Sequence, residues 1–547
     1  MNFKIVSSLC KARLTDKAAY FSTLGNTTAL LGDRLFFSAV CDTMNLTEKR
    51  GVRTEMRITS DLSPYIKVYQ VENVPVRLPH YPDSFDGDYI GHEPGLYPDL
   101  LRPIQRNTFY LMQNCCTQLY FELNVPKNME PGSYTVTIEL FPQNIEETLS
   151  ASLQIDILPA VIPEQSLTYT QWFHYDCLAT HYGVEIFSER HWEIIENFVK
   201  TAVKTGITAL LTPIFTPPLD TEIGGERPTV QLVDITVENG KYIFGFDKLK
   251  RFCEMCHRCG MPQLEIAHFF TQWGAEHAPK IMATMNGEYR RIFGWDTDAA
   301  GTSYVAFLHE FIPAVRQKLD EFGYQDKYFF HISDEPNTKH LKSYKAAKEA
   351  IWPLICDRPV RDALSHFEFY EEGIVRDPIP SVKSADTFVE NCVPDLWVYY
   401  CCSPGSICSN RFIAMSGNRA RIIGAQMFHA GVTGFLHWGY NFYYSRHSYI
   451  PIDPYTNTDG DYFVPAGDTF TVYPSPDGTA LQSLRSALFE QAIFDMRAMA
   501  LAEEKMGRAA VSSEIEAAGI NSFKTYSKDP EKILSLRDRI NHMAAGV

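Results

Sequence analysis

The stretch Tyr328-Phe329-Phe330-His331-Ile332-Ser333-Asp334-Glu335-Pro336-Asn337-Thr338 decides how this chain is read. An aromatic, β-prone run ends abruptly in two adjacent carboxylates and a proline. Pro336 cannot donate to a sheet ladder, so the strand must stop near Asp334 and Glu335. In a protein of repeating β–α units, active sites sit at the carboxyl ends of strands. Adjacent acids in such a place point to acid/base work, most often on a glycosidic bond. The competing reading is a strand end whose acids only start the next helix, where negative charge is favoured.

From about Leu167 the chain alternates between short apolar runs and amphipathic stretches. The runs 168–176, 207–213, 262–269, 327–334, 360–364, 395–401, 434–441 and 469–474 read as strands, with helices such as 188–204 and 303–322 between them. Eight such alternations fit a (β/α)8 TIM-type barrel over residues 166–505 better than an open doubly wound sheet. No G-x-G-x-x-G follows the first run, which argues against dinucleotide binding. Upstream, residues 1–165 carry period-2 runs such as Ser133-Tyr134-Thr135-Val136-Thr137-Ile138-Glu139-Leu140 after the turn signal Pro131-Gly132, and read as a β-sandwich. Residues 506–547 form a C-terminal helical tail. The fold class is therefore multidomain, a β-sandwich followed by an α/β barrel.

Composition narrows the partners. The formal net charge is −16, without a basic block, which argues against nucleic acid and anionic membrane as partners. No run of apolar residues is long enough to span a bilayer. The N-terminus lacks a sustained apolar segment, so no signal peptide is expected, and the 13 cysteines read as reduced thiols of a cytoplasmic protein. Cys253-Glu254-Met255-Cys256-His257 has the spacing of covalent haem attachment. Phe246, Leu249, Phe252, Cys253, Cys256 and Cys259 nevertheless recur at helical spacing before Gly260, so an amphipathic helix is expected there. No metal and no cofactor is expected.

If the strand register is right, the strand ends collect a coherent set of side chains. His174 lies at the first, Arg227 in the long loop after the second, and His268 and Trp273 at and beyond the third. Asp334 and Glu335 end the fourth, Tyr399 the sixth, and Trp438, Tyr440 and Asn441 the seventh. Aromatic rings that stack on apolar sugar faces, with polar groups that read hydroxyls, suit an oligosaccharide or glycoconjugate substrate.

The sandwich-plus-barrel plan, the Asp334-Glu335-Pro336 motif and the closing Gly467-Asp468, Val472-Tyr473-Pro474, Gly478 and Ser483-Leu484-Arg485 together resemble glycoside hydrolase family 123 and its relatives. The resemblance implies a retaining exo-β-N-acetylgalactosaminidase in which the substrate's own acetamido group attacks. It makes Glu335 the general acid/base and Asp334 the residue that orients the acetamido nitrogen. Relatives often carry Arg-Asp-Gly where this chain has Glu490-Gln491-Ala492, a departure that bears on which sugar is taken. A glycosidase acting on another sugar, and a non-catalytic carbohydrate-binding protein on the same scaffold, are the alternatives.

Overall fold

The computed structural model describes residues 1–44, 46 and 51–547. Two five-stranded sheets form the N-terminal sandwich. One runs Asn2–Ser7, Arg34–Asp42, Cys116–Asn124, Ile66–Val76, Gly95–Pro103, and the other Asn26–Leu31, Leu149–Val161, Gly132–Pro142, Val52–Thr59, Thr108–Leu111. The alternating apolar positions face inward from both sheets. Phe37 stacks on Phe121 at 4.8 Å, and Ile138, Leu140 and Leu153 are fully buried against them. That interior is apolar, so burial of its side chains holds the two sheets together.

The second half is a mixed α/β unit. Six parallel strands are hydrogen-bonded in the order Tyr328–Phe329, Gln263–Ile266, Ala209–Thr212, Thr168–Gln171, Gly434–His437, Trp397–Tyr399. Arg361–Ala363 and Asp377–Ile379 form a separate parallel pair. Single parallel bridges, Phe330 to Val360 and Ser381 to Tyr399, tie that pair to the two edges of the six-stranded sheet. The strands are short and buried on both faces, as expected where helices cover the outside.

Two sequence expectations need correction. The run 469–474 is not a strand of this sheet: Val472–Pro474 forms an antiparallel hairpin with Ala480–Gln482. The strand that was missed is Asp377–Ile379, three residues containing a proline, with too little length for any periodicity. Asp334 and Glu335 do not cap a helix either. Asn337 does so, its side chain accepting from Lys339 N at 3.0 Å ahead of the helix Leu341–Ile355. The cysteine-rich stretch is the helix Asp247–Cys259, with Cys253 and Cys256 buried and Gly260 in the left-handed conformation. Burial pushes the Cys253 thiol up to about 12, so it is an inert core group.

Sandwich and α/β unit meet in a buried polar seam. Arg485, at the start of the helix Leu484–Met506, forms a bidentate pair with Asp99 of the sandwich (2.8 and 2.9 Å), and Tyr473 donates to the same carboxylate at 2.6 Å. Farther along that helix, Glu490 pairs with Arg34, and Gln491 bonds Tyr120 Oη (2.7 Å) and Ser8 Oγ (2.5 Å). Glu490 and Gln491 therefore belong to the domain seam. The tail returns as the helix Pro530–Ala545, whose Asp538 accepts from Thr28 of the sandwich at 2.7 Å. No helix among the described residues is long and apolar enough to cross a membrane.

Candidate active site

The chain reaches the site by an enforced bend. After Phe330 bridges Val360, the Ile332 amide donates to Asp362 Oδ1 at 2.9 Å, steering the backbone toward the neighbouring strand. Glu335 then sits at φ +43°, uncommon for a side chain of its size. Two backbone bonds fix it there: Glu335 N donates to Ala363 O at 3.1 Å, and Trp273 N donates to Asp334 O at 2.9 Å. Strain of this kind persists where surrounding structure over-determines it, and it clusters at active sites.

Both carboxylates line a cavity of about 200 Å³. Trp172, Trp273, Tyr399, Trp438 and Phe463 supply its aromatic surface, and Asp220 and Gln272 add polar groups. Tyr399 Oη donates to Glu335 Oε1 at 2.6 Å. Asp334 is held well above the usual aspartate range, first by burial and then by the charge of Glu335 beside it; His331 opposes the shift. The pair therefore keeps a proton that an exposed pair would lose.

Beneath the cavity lies a buried ionic layer. Glu265, on the strand Gln263–Ile266, accepts from Trp172 Nε1 at 2.7 Å and from His331 Nε2 at 2.6 Å, and Thr170 also donates to it. Burial disfavours a charged His331, but hydrogen bonds and charge from Asp362 and Glu265 outweigh it and lift the imidazole to about 9. His331 is thus an imidazolium at neutral pH. His268 stacks on it at 4.3 Å, and burial followed by the charge of His331 drives His268 far down, keeping it neutral. His268, His331 and Asp362 bring donor atoms within 4.8 Å of one another. The two imidazole planes are only 16° apart, so their in-plane lone pairs run side by side and do not converge. Both His331 nitrogens already face carboxylates. This geometry suits a stacked pair rather than a metal centre.

The wall residue Trp438 is aimed from behind. Its Nε1 donates to Asp468 at 2.8 Å, and His437 Nε2 contacts the other oxygen at 3.2 Å. Gly439 N donates to His437 Nδ1 at 3.0 Å, which places the imidazole proton on Nε2. Burial pushes Asp468 up to about 7, the Trp438 bond acting against that.

Of the residues selected from sequence, Asp334, Glu335, Trp273, Tyr399 and Trp438 meet at the cavity. The others do not line it. Tyr440 points into the core, where its hydroxyl donates to Phe198 O at 2.9 Å. Asn441 clamps the backbone of His174 through both its amide atoms. His174 Nε2 donates to Trp438 O at 3.0 Å, and Arg227 is locked on Asp176 at 2.7 Å. Burial, then the Arg227 charge, lowers His174 to about 3. These groups form a support behind Trp438. Successive residues beyond a strand point in different directions, so Trp438, Tyr440 and Asn441 do not all face its mouth.

Asp220 was missed. It lies on the loop after Ala209–Thr212 at φ +40°, with one carboxylate oxygen buried and unpartnered among the described residues, and burial raises it to about 6. Its only sequence signal was an acid on a rim loop.

Paired strand-end carboxylates under aromatic walls are the layout of a glycosidase site. The profile of the glycoside hydrolase 123 catalytic domain matches residues 172–502, and the chain belongs to that family. A family 123 glycoside hydrolase from Clostridium perfringens, solved in work on glycolipid glycan hydrolysis, has the same fold, with a TM-score of 0.76 over 100% of this chain and 98% of that one at 15% identity. A family 5 mannosidase from Rhizomucor miehei gives a TM-score of 0.31 at 13% identity, covering 69% of this chain and 97% of that one, too low for any argument. A search of curated proteins finds no match.

Proposed function

We propose that the chain is an exo-acting glycosidase that releases terminal β-linked N-acetylhexosamine, N-acetylgalactosamine ahead of N-acetylglucosamine, with retention of configuration. The observation that carries this reading is that Asp334 and Glu335 are neighbours on one strand end. Neighbours cannot easily flank an anomeric carbon as the acid and nucleophile of ordinary retaining enzymes do, at about 5 Å from each other. Attack by the substrate's acetamido oxygen on C1 removes the need for a protein nucleophile. In this reading Glu335 protonates the departing oxygen while the C1–O bond breaks and an oxazolinium ring closes. Water then adds to C1, with Glu335 as base, and the ring reopens.

A proton held by Asp334 has a place in this scheme. An acetamido N–H donating to Asp334 favours its ionised form. Its proton then moves to Glu335, where the leaving group needs it. The ionised Asp334 stabilises positive charge on the closing ring. The six-stranded sheet and the bridged pair are read as one closed (β/α)8 barrel, with the site at its carboxyl-end face.

A second reading rests on Asp220, which faces the same cavity and could serve as a protein nucleophile or base. Hydrolysis of nitrophenyl β-N-acetylhexosaminides, followed by NMR of the first-formed anomer, tests both. Retention with an Asp220→Asn variant that stays active supports the acetamido route. Inversion, or covalent labelling of Asp220 by a 2-fluoro glycoside, contradicts it.

A further inference from the structure

Residues 77–94 join two strands of the sandwich, Ile66–Val76 and Gly95–Pro103, and they contact two segments whose other residues line the cavity. Arg77 pairs with Asp459 at 2.6 Å, and Ala466 N donates to Leu78 O at 2.8 Å. Asp86 accepts from Ile407 N at 3.0 Å and from Arg419 at 2.7 Å. Tyr89 Oη donates to Gly405 O at 2.5 Å, and Ile90 N to Ala414 O at 2.8 Å. The two rim segments held in this way are the ones that supply Cys401, Cys402, Phe463 and Val464 to the cavity wall. Packing is close: a Cβ on Gly405 would lie 2.3 Å from Ser84 O. Tyr81 carries the contact to the wall itself, its hydroxyl facing the Cys402 thiol.

This anchored segment presents an aromatic cluster. His80 stacks on Phe85 at 4.1 Å and meets Tyr89 edge-on at 5.3 Å, with His92 at 5.1 Å. Phe85 is 45% exposed. The imidazoles are ordered by their bonds. His80 Nδ1 lies 2.9 Å from Tyr81 O, which can only accept, so His80 Nε2 holds a lone pair. His92 Nδ1, 3.1 Å away, donates to it, leaving His92 Nε2 as an acceptor for a hydroxyl. A flat exposed ring beside an oriented acceptor suits a neutral saccharide.

We infer that residues 77–94 form the leaving-group subsite, with Phe85 as the stacking surface and His80 and His92 as its polar edge. The occupant is the saccharide unit attached through the scissile bond. The sandwich thereby acquires a part in substrate choice. The inference rests on the glycosidase reading, and the test separates the two.

The test compares wild type with Phe85→Ala and His92→Ala on a trisaccharide ending in β-N-acetylgalactosamine and on the nitrophenyl glycoside of that sugar. Binding of the trisaccharide is measured by calorimetry in a Glu335→Gln background. The expected result is a trisaccharide kcat/KM and affinity about tenfold more reduced than the aryl glycoside rate, with an unchanged thermal transition. Equal losses on both substrates, or trisaccharide turnover and binding indifferent to Phe85, would overturn the subsite. So would a concentration-dependent dimer abolished by Phe85→Ala, since the patch would then bind a second copy. Phe85-dependent binding without turnover by the wild type would overturn the glycosidase reading alone.

Discussion

Tyr399 and Glu335 lie 64 positions apart, yet the Tyr399 hydroxyl donates to Glu335 Oε1 at 2.6 Å across the cavity floor. The bond fixes one carboxylate rotamer on a residue whose backbone is already constrained. Tyr399→Phe should lower kcat by about five- to tenfold with little change in KM, the cost of one hydrogen bond that orients without binding. Steady-state kinetics on one aryl glycoside checks this.

The two carboxylates should fail differently. Glu335→Gln removes the general acid and should cost about 10²–10⁴-fold on natural glycans while sparing much of the rate on a phenolate-leaving glycoside. Asp334→Asn should slow both substrate types by similar factors, because charge on the closing ring must be stabilised whatever leaves. The ratio of the two rates for each variant is the readout.

Proton ownership can be followed directly. Asp334 is raised by burial and then by Glu335, so kcat/KM should fall with rising pH only beyond the ordinary aspartate range, when the proton of the pair is lost. Neutralising the neighbour in Glu335→Gln removes a cause of the upward shift. The Asp334 titration, read by carboxyl ¹³C NMR, should then move to lower pH.

Trp438→Ala should lower kcat/KM by about one to two decades with the protein folded, since an aromatic wall contributes roughly 1–3 kcal/mol to a stacked ligand. If the thermal transition is lost and ligand affinity is unaltered, Trp438 is a packing residue and not a wall of the subsite.

The buried pair Arg485–Asp99 should dominate the domain seam. Removing one partner leaves a buried charge uncompensated, and Asp99→Asn should destabilise the chain by about 3–5 kcal/mol. Denaturant unfolding gives the value. Double replacement of both partners by apolar residues should cost less than either single change.

What the sequence disclosed follows from physical scale. The stop imposed by Pro336 located the carboxylate pair, and the alternation around Val136 and Ile138 located the sandwich, because both signals are local. Strands of three residues such as Asp377–Ile379 carry no period to detect. Tyr440 and Asn441 could not be told from Trp438, their neighbour on the same strand end, because only the direction of each side chain separates core from cavity. Asp220 reaches the cavity through a loop whose path is set by tertiary contacts such as Ser448 Oγ donating to Asp220 O at 2.7 Å. The Gly467 to Arg485 motif was legible as a family mark, but its work became visible only with Asp99 opposite it. Glu490 and Gln491 sit in that same seam, paired with Arg34 and Tyr120 of the sandwich.

The central claim is that the substrate's acetamido group is the nucleophile. The direct measurement is kcat/KM for nitrophenyl β-N-acetylgalactosaminide against the matching β-galactoside, which differs only in carrying a 2-hydroxyl. The acetamido substrate should be faster by about 10³-fold or more, since an intramolecular nucleophile held in place supplies several kcal/mol that the hydroxyl cannot. Equal efficiency on the two glycosides would contradict the account.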